Sequence, residues 1–139
     1  GLAQIDKLDY FIKKRRDNYN YLRSKLESIT DFVHLPTPTP NSNPSWFGFP
    51  ITLRDECGIS RVDVTKYLDS NKIGSRLLFA GNLLKQPYFK EVNYRVVGSL
   101  KNTEKIMNDT FWIGIQPSLN KVHFDFVSEK FEELFGLNF

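Results

Sequence analysis

The sequence predicts a two-layer α+β domain in which a small antiparallel or mixed sheet is covered by helices. Apolar residues at helical spacing occupy both ends of the chain, and short aromatic and β-branched segments lie between them. A chain of 139 residues can build one hydrophobic core but not two ordinary ones. We therefore expect a single domain over residues 1–139, with the order helix, strand, helix, strand, helix, strand, helix.

The first predicted element is a long amphipathic helix. Its apolar residues follow one another at steps of three and four; they are Ile5, Leu8, Ile12, Tyr19, Leu22, Leu26 and Ile29. Arg15 occupies the same stripe, where its methylenes can cover apolar neighbours while its head reaches a polar partner. A helix of roughly 28 residues is long for a small domain. We expect residues 1–30 to form an interdomain helix.

Prolines and capping residues divide the middle of the chain. Four prolines within residues 36–44 exclude helix and sheet interior and predict an extended connector. A strand is predicted over residues 46–53, and Pro50 indicates that it lies at an edge or contains a bulge. Ser60 begins a capping box with Asp in place of Glu, and Asn71 is the expected left-handed end of the helix that follows.

Four elements are predicted in the second half, before a final helix. They are a strand over residues 73–79, a turn at Gly81-Asn82, a helix over 101–109 and a strand over 111–115. The final helix is expected to begin at a Ser118 cap and to end at Gly136. Its inward residues are expected to be Leu119, Val122, Phe126, Val127, Phe131, Leu134 and Phe135.

Composition and charge exclude several classes of protein. Twelve Phe, six Tyr and two Trp exclude disorder, and one cysteine excludes a disulfide scaffold and fits a reducing, cytoplasmic compartment. No apolar run approaches the roughly 18 residues of a membrane span, so we expect no membrane contact. The net positive charge lies in residues 1–30, around the basic run of residues 13–16. Nearby acids dilute that run and no nucleic-acid-binding signature follows, so we expect no nucleic acid partner.

Catalytic motifs are nearly absent. His34 and His123 have no second ligand at metal-site spacing, and Cys57 has no histidine near it in the sequence. Neither standard Gly-rich phosphate loop occurs. We therefore expect no catalytic, cofactor-binding or metal-binding residue in this chain.

Residues 73–89 hold the one candidate binding site. This mostly apolar segment is interrupted by Arg76, Asn82 and Gln86, and an apolar wall with a few polar groups is typical of a small-ligand pocket. Arginine offers a donor fork for phosphate, and the two amides offer donors and acceptors for hydroxyls. The spacing alone slightly favours the alternative, in which these polar groups only satisfy the backbone of a strand, a turn and a helix start.

Six motifs along the chain resemble the sugar-nucleotide aminotransferase family, whose members are fold-type-I pyridoxal-phosphate enzymes. They lie at residues 1–9, 44–52 (PSWFGFPIT), 76–82 (RLLFAGN), 86–89 (QPYF), 93–98 (NYRVVG) and 106–112 (IMNDTFW). Within the family, the last five of these motifs are similar to the CDP-4-keto-6-deoxy-D-glucose 3-dehydrase branch of lipopolysaccharide biosynthesis. The resemblance, together with a start that lacks methionine, implies the small C-terminal domain of a longer enzyme.

The resemblance also implies a reaction and its partners. These dehydrases remove the C3 hydroxyl of a nucleotide-linked 4-keto sugar: pyridoxamine phosphate forms an imine with the ketone, and a histidine replaces the usual Schiff-base lysine. A reductase partner supplies electrons through an iron–sulfur cluster. The residues that hold these groups would lie upstream of Gly1, in a cofactor domain. The resemblance implies a homodimer for the intact enzyme and an inactive isolated fragment.

The same resemblance assigns the candidate residues to the sugar-nucleotide site. Arg76 is expected to contact phosphate or a sugar hydroxyl, Phe79 to form an apolar wall, and Asn82 and Gln86 to orient the sugar. The aminotransferase branch is the alternative, although its members tend to have a Tyr-x-Pro-x-His type of sequence where residues 79–83 here are Phe-Ala-Gly-Asn-Leu. A further alternative is a stand-alone interaction module that docks through the basic first helix.

Overall fold

The predicted α+β arrangement is confirmed in the computed structural model, which describes residues 1–137. The last two residues of the predicted domain lie outside the described residues. The elements are α1 (Leu2–Ile5), α2 (Leu8–Lys25), β1 (Val33–His34), β2 (Gly48–Leu53), α3 (Arg61–Ser70), β3 (Ser75–Leu77), α4 (Lys101–Asp109), β4 (Thr110–Gly114) and α5 (Lys121–Leu134). Short 3-10 helices cover Leu26–Ile29, Leu83–Lys85 and Pro87–Glu91. None of the helices within this described range is long and apolar enough to cross a membrane.

The sheet is antiparallel throughout, in the order β1-β2-β4-β3. In the ladder between β2 and β4, Gly48 stands opposite Gly114 and Thr52 opposite Thr110. β1 pairs only with the end of β2 at Thr52 and Leu53. The strand predicted at an edge is therefore internal, but β1 does not reach Pro50, so the missing N–H of that residue costs no ladder bond on this side.

One face of the sheet carries the hydrophobic core. Phe49 and Ile51 of β2 and Phe111 and Ile113 of β4 are buried on this face, because alternate side chains of a strand point to the same side. Helices α2, α3 and α5 supply the rest of the core. The ring of Phe131 on α5 stacks on that of Phe111, with 6.5 Å between their centroids. The opposite face of the sheet is left for other contacts.

The first helix differs from the continuous element that the sequence predicts. α1 ends at Ile5, α2 begins at Leu8, and the chain tightens into a 3-10 helix at Leu26–Ile29. The second half of the predicted stripe, from Tyr19 onward, is buried in the core. In the first half, by contrast, Ile5 is 60% exposed and Leu8 is also exposed. The apolar start of the chain therefore covers no core among the described residues.

Two arginines of the basic run hold the proline-rich connector against α2. Arg15 donates to the carbonyl of Trp46 at 3.3 Å, and Arg16 donates to the carbonyl of Asn43 at 2.5 Å. The Trp46 ring stacks on Tyr19 with 4.3 Å between centroids. Part of the basic run thus serves the packing of the chain itself, and Arg15 reaches a polar partner, as its place in the apolar stripe predicts.

Helix α3 begins where the sequence predicts, but the left-handed residue that follows it lies one position later than predicted. Ser60 caps it, since the Ser60 hydroxyl accepts the Asp63 amide at 3.2 Å. The left-handed residue at the other end is Lys72, with φ 63°, whereas Asn71 has φ −90°. The prediction for Asn71 is wrong because the amides of Lys72 and Ile73, one position further on, bond back into the last turn.

Helix α5 has a different start from the predicted one. Its cap is Asn120, not Ser118, and His123 accepts the Asn120 amide at Nδ1 over 3.2 Å. This reciprocal pair is a capping box, and it satisfies amides that would otherwise lack partners at the helix start. The predicted end at Gly136 is confirmed, since this residue has φ 69°.

The buried stripe of α5 is also rotated from the predicted one. Phe124, Ser128 and Phe131 face the core, whereas Val122 is 74% exposed and Phe126 is also exposed. Residues 122 and 124 lie about 200° apart on a helix, so burial of Phe124 against the core leaves Val122 on the other side. The expectation that Val122 and Phe126 point inward is therefore wrong.

Candidate functional site

The sheet face opposite the core carries Arg76, Trp112 and Pro50 in one row. Both Arg76 and Pro50 stand opposite Trp112 in the two ladders that β4 forms. The Phe47 ring lies 5.1 Å from the Trp112 ring, and a Cβ at Gly48 would collide with the indole. We call this set of five residues the open face. Sequence reasoning missed Trp112 because only the antiparallel register places it beside Arg76.

Arg76 is the cation of the open face. Its side chain is exposed, and it makes no hydrogen bond or ion pair with any other residue in the described part of the chain. A guanidinium offers five donors in a planar fork, which suits a phosphate or carboxylate. Arg76 is therefore available to bind an anion without breaking a contact of the fold.

The chain reverses immediately after β3, in a segment that we call the Phe79 loop (residues 78–86). β3 ends at Leu77, two residues before the predicted end, and the Phe79 amide donates to the Leu77 carbonyl at 2.8 Å. Phe79 has φ 51° and is 84% exposed. That backbone conformation costs a non-glycine residue about 1–2 kcal/mol. Strained residues with exposed side chains are typical of binding sites.

The two predicted amides serve the Phe79 loop itself. Asn82 is 4% exposed, and its Oδ1 accepts the Leu84 amide at 3.1 Å. Gln86 donates from Nε2 to the Ala80 carbonyl at 2.6 Å. Each amide thus satisfies local backbone through one polar atom, while Asn82 Nδ2 and Gln86 Oε1 make no hydrogen bond among residues 1–137. The structure therefore brings the four predicted residues into one segment but not into one enclosed pocket.

A cleft of about 730 Å³ lies at the other end of β3. It is bounded by the start of β3, the end of β4 and the exposed side of α5, and it contains none of the four predicted residues. Val122 and Phe126 contribute apolar lining, and His123 at its rim is already engaged in the cap of α5. The cleft also has polar lining from Asn71, Lys72 and Gln116. We take the open face and the Phe79 loop as the candidate site because they carry Arg76 and the other three residues that the sequence predicts.

The cysteine and histidines do not fit a metal centre. Residues 1–137 contain no group of three or more His, Cys, Asp or Glu placed to hold a metal ion. The Cys57 thiol is half-buried and donates to the Ile59 carbonyl at 3.1 Å, and His34 is exposed on β1. An iron–sulfur cluster is held by four thiolates, or by two with two histidines, and this chain has one cysteine. No iron site is therefore assigned here.

The shifted pKa values belong to ion pairs and hydrogen bonds away from the open face. Hydrogen bonds from Lys130 and, to a smaller extent, from Tyr67 lower the pKa of the Glu133 carboxyl. Hydrogen bonds to Glu133 and Glu129 in turn raise the pKa of the Lys130 ammonium to about 12. A hydrogen bond from Lys25 likewise lowers the pKa of Asp125. The Lys25–Asp125 pair joins α2 to α5 and the Tyr67–Glu133 bond joins α3 to α5, whereas Lys130 and Glu133 pair within α5. These contacts therefore bear on stability rather than on the open face.

Comparison with known proteins gives a family match and several similar relatives. Residues 1–132 match the DegT/DnrJ/EryC1/StrS aminotransferase family. The chain is 58% identical over 139 residues to the lipopolysaccharide biosynthesis protein RfbH of Salmonella typhimurium (strain LT2). The aligned region covers 100% of this chain and 32% of the relative. It is 39% identical over 133 residues to dTDP-4-dehydro-2,6-dideoxy-D-glucose 3-dehydratase of Saccharopolyspora spinosa, over 96% of this chain and 29% of the relative.

The fold has a similar relative among solved structures. A crystal structure of GDP-4-keto-6-deoxymannose-3-dehydratase with a trapped PLP-glutamate geminal diamine matches with a TM-score of 0.83 at 26% identity, over 93% of this chain and 33% of that one. The chain spans about a third of the length of each of these relatives. The family resemblance drawn from the sequence motifs is confirmed, and the chain belongs to the DegT/DnrJ/EryC1/StrS aminotransferase family.

Proposed function

We propose that residues 1–139 are the small C-terminal domain of a longer nucleotide-sugar 3-dehydrase. The enzyme would remove the C3 hydroxyl of a nucleotide-linked 4-keto sugar in 3,6-dideoxyhexose and lipopolysaccharide O-antigen synthesis. The similarity to RfbH over the whole chain supports this branch, and so do two similar proteins named as 3-dehydratases. Residues 1–30 would form the connection to the upstream cofactor domain.

The observation that carries the proposal is the exposed guanidinium of Arg76, which bonds to no other described side chain or backbone group, three residues before a strained, exposed Phe79. Arg76 would bind the phosphate or a hydroxyl of the sugar nucleotide, using donors that the fold leaves unoccupied. Phe79 would form an apolar wall that keeps water from the reacting carbon. Asn82 and Gln86 would orient the sugar through the polar atoms that they do not use within the loop.

The chemistry of the reaction would be supplied from outside this chain. In the family, pyridoxal or pyridoxamine phosphate provides the imine chemistry at the ketone, and we propose that the upstream domain holds it. The residues present do not fit an iron–sulfur cluster, so we place its ligands upstream as well. The intact enzyme would act as a homodimer with a reductase partner, and this domain would contribute substrate binding only.

An aminotransferase is the second candidate, because the chain is 25% identical over 136 residues to a dTDP-4-amino-4,6-dideoxy-D-glucose transaminase of Shigella dysenteriae. The full-length protein separates the two when it is incubated with CDP-4-keto-6-deoxy-D-glucose. Loss of the C3 hydroxyl with pyridoxamine phosphate and a reductant supports the dehydrase. Transfer of an amino group from glutamate to C4, without loss of that hydroxyl, supports the aminotransferase.

Arg76→Ala in the full-length enzyme tests the site. Loss of a charge-assisted bond of about 1.5–3 kcal/mol should weaken substrate affinity roughly tenfold to hundredfold. Turnover at saturation should stay near normal if the bond contributes equally to the ground state and the transition state. The melting temperature should not change, because Arg76 is exposed and bonds to no other described residue.

Two further variants control the Arg76 experiment. Arg76→Lys keeps the charge but loses the planar fork, so an intermediate affinity is expected. Lys66→Ala removes an exposed cation from α3, outside the open face, and should leave affinity unchanged. Equal affinity of Arg76→Ala and the wild type, or collapse of the fold, would show that Arg76 has no role in substrate binding.

A further inference from the structure

Met107 of α4 touches the Phe79 loop at its tightest point. A Cβ placed on Gly81 would lie 2.6 Å from Met107 Cγ and 2.8 Å from Met107 Cβ, so the Met107 side chain packs directly on the glycine. Gly81 also has φ 63°, which favours glycine. The neighbouring amide of Asn82 donates to Met107 Sδ at 3.4 Å. The Met107 side chain therefore both packs against Gly81 and accepts a hydrogen bond from the backbone of the loop.

A second residue of α4 binds the same loop one turn away. Glu104 forms an ion pair with Lys85 at 3.0 Å. Residues three positions apart lie on the same side of a helix, so Glu104 and Met107 present one surface to the loop. Helix α4 buries none of its residues fully. It also packs against β2 and β4, so the loop is one of several partners of this helix.

The placement of Phe79 depends on this contact. The Phe79 side chain is almost entirely exposed, so packing of its own ring does not fix where the ring lies. Its backbone is in the left-handed region, and the residues that follow it are the ones seated on Met107. Gln86 closes the loop by its bond to the Ala80 carbonyl. A shift of Gly81 away from Met107 would therefore move the backbone two residues from Phe79.

We propose that Met107 is a positioning residue for substrate binding, which acts by holding Gly81 and the Asn82 amide so that Phe79 faces the substrate. This inference rests on the proposed function. Met107 itself touches the loop rather than the substrate, so its replacement should change affinity through the position of Phe79. Glu104 helps to hold the same loop through its ion pair with Lys85.

The test uses Met107→Ala in the full-length enzyme with CDP-4-keto-6-deoxy-D-glucose as substrate. The expected result is a KM raised roughly threefold to tenfold, the range of a single lost polar contact, together with a lower kcat, because a displaced Phe79 would no longer shield the reacting carbon. Met107→Leu keeps a similar volume but lacks the sulfur acceptor, so it should recover part of the affinity. Ile106→Ala, an exposed neighbour on α4, is the matched control and should leave KM unchanged.

A measurement without substrate separates this inference from the proposed function. Hydrogen exchange of residues 78–86 in the full-length protein should be faster in Met107→Ala than in Ile106→Ala. Unchanged exchange overturns the inference, and so does an unchanged KM in an active enzyme. If exchange is faster in Met107→Ala but the wild-type protein acts on no nucleotide-linked 4-keto sugar, the result supports the role of Met107 in holding the loop. It refutes the proposed function instead. A lower melting temperature with normal KM would show that Met107 only stabilises the fold, which also overturns the inference.

Discussion

Asn82 offers a substitution that separates its structural bond from its proposed substrate bond. Its Oδ1 accepts the Leu84 amide at 3.1 Å, whereas its Nδ2 donates to no other described residue. Asn82→Ala removes both groups. Asn82→Asp keeps the acceptor and removes the donor, and Asp and Asn serve about equally well at such a cap. The two variants should therefore differ in stability but agree in their effect on affinity.

The expected magnitudes follow from the two bonds. Loss of the cap in Asn82→Ala should lower the free energy of unfolding by about 1 kcal/mol, because it leaves the Leu84 amide without its acceptor. For a domain of this length that is a fall of roughly 3–5 °C in melting temperature. Asn82→Asp should cost little stability. Both variants should raise KM roughly twofold to twelvefold, the value of one neutral hydrogen bond.

Two assays measure these effects independently. Urea unfolding of the 139-residue chain gives the free energy of unfolding, and steady-state kinetics of the full-length enzyme gives KM. A normal KM in Asn82→Asp would show that Asn82 serves only as a cap. Equal destabilisation by Ala and Asp would show that the Oδ1 bond to Leu84 is not what stabilises the loop.

Two further predictions concern the core and the contacts between helices. Phe131→Ala should cost about 3–5 kcal/mol in urea unfolding, because Phe131 is fully buried and stacks on Phe111, and a loss below about 1 kcal/mol would contradict the assigned core. The pKa of Asp125 lies below its ordinary 3.8 and that of Glu133 below its ordinary 4.5. Their stabilising contribution is therefore complete above the unfolded-state values and is lost as pH falls through the lowered pKa values. Thermal unfolding should show this loss below about pH 5, and Asp125→Asn should reduce the acid-side slope; an unchanged slope would refute the role of that pair.

The sequence by itself determined the elements whose signals are local. The spacing of apolar residues predicted a helix within residues 1–30, of which α2 is the main part, and the helix predicted over residues 101–109 has the bounds of α4. Ser60 and Gly136 were correct as helix ends, because a cap satisfies backbone groups within one turn of itself. The strands over residues 46–53 and 111–115 were found for a similar reason, since alternation and β-branched residues lie within the strand itself.

The tertiary structure decided everything that joins distant segments. β1 has two residues, too few for any periodic signal, and it forms only because the end of β2 lies beside it. Arg76 meets Trp112 through the register of β3 on β4, and Met107 meets Gly81 across 26 positions of chain. The face of α5 that packs on the core carries Phe124 and Phe131, which leaves Val122 exposed. Local spacing can predict which face of an element is apolar, but the partner of that face depends on how separated segments pack together, and that choice is made by the whole core.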